Sequence, residues 1–171
     1  HFLSWTWGYT MHQVCGALEQ WLEQTGLDAD KTFIYMCFFV NNQHRILIAG
    51  TSSGSDNLET VFESNLRRIG KMVALLDDWN EPLYFSRIWT VFEQFTAVKL
   101  GIEVEIIIPP AACKTLVKEI HKGERGIVRL KQSLCNVDSK HAKAWSEQDE
   151  QKVKKAILDT IGFEAVNRKL C

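Results

Sequence analysis

Phe33-Ile34-Tyr35-Met36-Cys37-Phe38-Phe39 is a run of seven residues without a charge. A run this short, rich in aromatic side chains, reads as a strand buried on both faces, and such strands belong to parallel sheets covered by helices on both sides. Working outward, β-rich runs occur at residues 2–5, 32–40, 72–76 and 104–108, with a weaker one at 134–137. Helical periodicity separates them. Met11, Val14, Cys15, Leu18 and Leu22 share one face behind a Thr10-x-x-Gln13 capping box, and Leu58, Val61, Phe62, Leu66 and Ile69 follow an Asp56 cap. Phe85, Ile88, Trp89, Phe92 and Thr96 follow Pro82, a fourth helix is expected near 113–122, and a fifth opens at Ser146-x-x-Asp149. Gly26, Gly70, Gly101, Gly123 and Gly162 each stand where a helix would end in a left-handed residue.

Alternating strands and helices predict an α/β fold of three layers, flavodoxin-like, with a five-stranded parallel sheet in the order 2-1-3-4-5. In such a sheet ligands gather at the carboxyl ends of the first and third strands. Those ends lead into Thr6-Trp7-Gly8-Tyr9 and Asp77-Asp78-Trp79-Asn80.

A length of 171 residues suits one domain, and a start at His1 that runs at once into a strand reads as a piece of a longer multidomain protein. At 46% hydrophobic and 24% charged residues the chain is expected to fold rather than to be disordered. Its longest apolar run, eight residues, is far short of the roughly 20 a spanning helix needs. A net charge of −1 advertises neither a nucleic-acid nor a membrane partner. The charge is unevenly spread, however: residues 111–171 carry 13 Lys and Arg against 8 Asp and Glu, and residues 1–110 carry 7 against 13. Solvated helices account for such a split, and so do complementary surfaces for head-to-tail self-association. Five cysteines without a C-x-x-C pair argue against a disulfide framework or a zinc site, and fit reduced thiols in a cytoplasmic protein.

No phosphate-loop, dinucleotide-binding or zincin motif occurs. Gly50-Thr51-Ser52-Ser53-Gly54 matches the nucleophile elbow of serine hydrolases, with Asp77 or Asp78 and His121 or His141 as triad partners, and also matches an ordinary flexible loop. Asp77 and Asp78 stand where a phospho-accepting receiver keeps its acceptor, but Trp5 and Thr6 replace the acidic cluster such a site needs, so capping is their expected role. In Arg87-Ile88-Trp89-Thr90-Val91-Phe92-Glu93-Gln94-Phe95, Glu93 lies about 100° from the centre of the apolar stripe, at its rim. It is either a surface glutamate at the edge of a core helix or a partly desolvated carboxylate facing a cleft.

Phe2-Leu3-Ser4-Trp5 resembles the first-strand box of TIR (Toll/interleukin receptor) domains, and Trp89-x-x-x-Glu93 resembles their third-helix motif, with a similar element order over nearly the whole chain. In the NAD-cleaving members the glutamate of this helix is catalytic. The resemblance therefore implies an NAD glycohydrolase in which Glu93 acts on the nicotinamide–ribose bond, with NAD as substrate and no resident cofactor or metal. Nicotinamide and ADP-ribose, or a cyclic form, would be the products. Trp89 would shape the pocket, and Trp5, Thr6, Trp7 and Tyr9 would border the nucleotide. Thr6 and Trp7 stand where members often carry arginine, which leaves Arg45 and Arg87 as candidates for the pyrophosphate. The same resemblance implies self-association, and it equally admits a non-catalytic signalling module.

Overall fold

A computed structural model describes residues 1–40, 58–144 and 146–170. Among these, three strands form one parallel sheet in the order β1 (Phe2–Ser4), β2 (Met72–Leu75), β3 (Val104–Ile107). Phe2 sits opposite Met72, and Met72 opposite Val104. The helices are α1 (Met11–Thr25), α2 (Cys37–Val40), α3 (Leu58–Ile69), α4 (Leu83–Ser86), α5 (Ile88–Lys99), α6 (Pro110–Ile120), α7 (Glu124–Leu134), α8 (Glu147–Thr160) and α9 (Phe163–Leu170).

Strand alternation divides the core. Leu3, Val73, Leu75 and Ile107 face α1, where Val14, Ala17 and Trp21 are buried against them. Ala74 and Leu76 face the opposite way, into a cluster built from Tyr84, Ile88, Val91, Phe92 and Phe95 with Val153, Ile157 and Val166 of α8 and α9. Phe2 and Met72 join Leu66 of α3 and Ala97 of α5. Helices thus cover both faces, and β2, buried along its whole length, is the central strand. Trp21 ties α1 to β3, its indole N–H donating to Glu105 at 2.6 Å.

The expected sheet of five strands has three among the described residues. Residues 32–40 supply one bridge: Tyr35 pairs in parallel with Phe2, donating its N–H to His1 and accepting that of Leu3. This is the flank of β1 on which the second strand was expected, but the chain enters α2 two residues later. Phe33 and Phe39 are 81% and 70% exposed, so the run is not buried on both faces. An uninterrupted apolar stretch carries no period, and strand and helix compete for it on equal terms. The weak run at 134–137 is not a strand either: Leu134 closes α7, and the following residues lead to a turn in which Asp138 accepts the backbone N–H of His141 and of Ala142.

The expected third helix is two helices. Arg87 is extended, at φ −103° and ψ 122°. Lys143 donates its N–H to Ser86 at 2.8 Å and accepts that of Ile88 at 3.0 Å, and this bridge takes the backbone groups a continuous helix would have used. The helix near 113–122 begins earlier, with Pro110 in its first turn, and a further helix, α7, follows Gly123. The last helix likewise resumes as α9 after Gly162. All five expected glycines have φ between 66° and 78°, but Gly123, with ψ −142°, opens α7 instead of closing α6 in the left-handed region; the other stop signals hold. So does the start of α1, where Gln13 donates its N–H to the Thr10 hydroxyl at 3.2 Å and its side chain accepts the Thr10 N–H at 2.8 Å.

Candidate functional site

Ser4 is the last residue of β1 and points, like Phe2, toward α5. Its hydroxyl donates to Glu93 Oε2 at 2.6 Å, and the hydroxyl of Tyr84 lies 2.6 Å from the same Oγ. Tyr84 is fully buried in α4. That short helix is pinned to α5 by the Thr90 hydroxyl, which donates to the Tyr84 carbonyl. The three elements β1, α4 and α5 therefore converge on a row of oxygens at the carboxyl end of the first strand, where a parallel α/β sheet offers its ligand crevice.

Glu93 is partly buried. Burial pushes its carboxyl up to about 7, against a smaller downward pull from the Ser4 hydrogen bond. Burial also pushes the Tyr84 phenol well up, and the adjoining Glu93 charge adds to the effect.

The loop after β1 is divided in its exposure. Thr6 is buried, whereas Trp7 is 61% exposed, its ring tilted over that of Trp5 with centroids 5.5 Å apart. Gly8 is packed so closely on Leu83 that a Cβ there would collide with it. Tyr9, read from the sequence as a loop aromatic, is buried, and its hydroxyl donates to the Leu75 carbonyl at 2.9 Å. Burial first, and then Asp77, raise its phenol. Tyr9 therefore fastens the loop after β1 to the end of β2 instead of offering its ring to a ligand.

The two tryptophans flanking the motif do not share a wall. Trp5 packs against the cluster beneath α1, while Trp89 packs against the cluster on the other face, edge-on to Phe92 at 6.3 Å. Arg87 is partly buried at the break between α4 and α5. Arg45 and the Ser52 elbow lie outside the described residues. Asp77 accepts the N–H of Leu83, the first residue of α4, at 2.8 Å and so caps that helix, while Asp78 accepts the N–H of Trp79 at 2.7 Å within the turn after β2. His141 Nδ1 lies 2.7 Å from Asp138 at the surface.

Two cavities lie apart from Glu93. One, about 260 Å³, is apolar and opens between Trp21, Trp79, Ile106, Cys113, Leu130 and Leu134; the other, about 320 Å³, is bordered by Glu81, Phe85, Ser133, Asp138 and His141. Among the described residues no cluster of His, Cys, Asp and Glu could hold a metal ion, and no helix is long and apolar enough to cross a membrane. Sequence reasoning singled out Glu93 but not its partners. The signal for Ser4 was present: one hydroxyl in an apolar strand needs a polar partner, because a buried one left unbonded is costly. Tyr84 sits in an apolar stripe and gave no comparable sign. No family model, curated protein or solved structure matches the chain.

Proposed function

We propose that this chain is a TIR-like NAD glycohydrolase on a flavodoxin-like scaffold, with Glu93 as its catalytic residue. The observation that carries the reading is the Glu93 carboxyl itself, desolvated at the carboxyl end of β1 and held by the Ser4 hydroxyl, with burial raising its pKa and the Ser4 hydrogen bond only partly offsetting that. Such a group is matched to a ligand that brings its own positive charge. The pyridinium of NAD does so, and the charge then passes to the ribose: the bond from the ring nitrogen to C1′ breaks, its electron pair stays on nitrogen, and nicotinamide leaves neutral. No acid is required for that departure. A single carboxylate facing C1′ stabilises the oxocarbenium-like transition state or captures it covalently, the part played by one of two carboxylates in retaining glycosidases. Water then adds at C1′ and releases a proton, giving ADP-ribose; addition of a nitrogen of the adenine ring gives the cyclic product instead. The exposure of Trp7 beside this end of the sheet supports a role for it in stacking on a base.

Incubating the purified chain with NAD and quantifying nicotinamide tests the reading. Turnover is expected, rising with pH through about 7 as Glu93 ionises. In Glu93→Gln it should fall by a factor of at least about 100. Absence of nicotinamide from the wild-type chain would leave a non-catalytic interaction module in its place.

A further inference from the structure

We propose that Ser4 and Tyr84 are positioning residues that bias Glu93 toward its negatively charged form, through a hydrogen-bond chain with a fixed direction. The inference rests on Glu93 as the reactive carboxyl and concerns how its charge is set. Ser4 Oγ carries one proton and has two oxygens at 2.6 Å, Glu93 Oε2 and the Tyr84 hydroxyl. Tyr84 is fully buried, and among the described residues the partner of its hydroxyl is Ser4. Were Ser4 to donate to Tyr84, the Tyr84 proton would be left buried without an acceptor, a costly arrangement. The low-energy order is therefore Tyr84 to Ser4 to Glu93. With Tyr84 donating to it, the single Ser4 proton has Glu93 Oε2 as its acceptor among these two oxygens, so Ser4 is a committed donor and favours the carboxylate over the carboxylic acid.

The other charged groups around α5 are engaged elsewhere. Glu63 of α3 pairs with Arg67 and with Lys99, and Glu150 of α8 pairs with Lys143 and Lys154. Glu164 and Arg168 of α9 are exposed, and Glu105 of β3 binds Trp21 on the far face. Tyr9 is felt by Tyr84 and is itself tied to Leu75. The direct lever on Glu93 is thus Ser4, and the lever on Ser4 is Tyr84, a residue that makes no hydrogen bond to the carboxylate.

The test is the titration of Glu93 itself, followed by NMR in protein carrying carboxyl-labelled glutamate, with Glu93→Gln to assign the signal. The wild-type midpoint is expected at about 7. Ser4→Ala should move it alkaline by about one pH unit or more, the size of a charge-assisted hydrogen bond. Tyr84→Phe should move it in the same direction by a smaller amount, because the freed Ser4 hydroxyl can then accept from the protonated acid. A purely structural role for either residue would lower the melting temperature and leave the midpoint where it was. A midpoint unmoved, or moved acid, in Tyr84→Phe overturns the proposal whether or not Ser4→Ala folds. Unchanged nicotinamide release in Glu93→Gln would remove the catalytic reading and leave the titration result standing; unmoved midpoints beside an inactive Glu93→Gln would do the reverse.

Discussion

Raising a glutamate from its ordinary 4.5 to about 7 makes stability and activity answer pH in opposite senses. Between those values the folded chain holds a proton that the unfolded chain has released, so the stability this group contributes is complete below about 4.5 and is lost as pH climbs through about 7. The loss is on the order of 3 kcal/mol for a shift of this size. Glu93→Gln removes the titrating group; denaturant unfolding at pH 5 and pH 8 should show a smaller drop between the two than in the wild type, with the variant the more stable at pH 8. An equal drop in both would mean that the carboxyl is not desolvated. The position of Glu93 was legible because helical angles place it at a rim. Its charge state was not, since that depends on a hydroxyl 89 residues away in sequence, brought near only by the packing of β1 against α5.

Elements were legible where a single residue decides them, as the glycines and the Thr10 cap do, and illegible where a distant backbone does. Nothing in Tyr84 to Thr90 announces the break at Arg87, because the apolar spacing runs straight through it; Lys143, more than 50 residues on, makes it. The seam between α6 and α7 offers a test at this scale. Gly126 is buried, and a Cβ there would overlap the backbone carbonyl of Glu119. On an open helix face Gly→Ala stabilises by about 0.5–1 kcal/mol. Here Gly126→Ala should instead destabilise by about 1–3 kcal/mol as the two helices are forced apart, read as a lower melting temperature. A higher melting temperature would show that the seam has room.

Across the molecule, the parallel sheet with helices on both faces was read correctly, although the run that first suggested it is mostly not strand. Met72 to Leu75 meets that argument fully, being apolar and buried throughout. The number of strands was misjudged because apolar content measures burial and not hydrogen-bond partners. The charge split bears on assembly: an acidic portion before residue 110 and a basic one after it can pair front to back between copies. Exposed charges are screened beyond about 8 Å at physiological salt, so association seen by sedimentation should weaken as salt rises, and activity per chain should fall with it if a neighbour completes the crevice. A monomer of constant specific activity at all salt and protein concentrations would exclude this. The register of the sheet also has a consequence in time. Phe2 meets Met72, 70 residues further on, whereas Met72 meets Val104 after only 32. The smaller loop closes first, and β1 docks last onto a ready-made edge. At about 5–20 residues per second, a ribosome reaches Val104, 102 residues after Phe2, roughly 5–20 s later, so β1 waits about that long for the edge it docks on. The strand that carries Ser4 is thus the one that waits longest for its neighbour in the sheet.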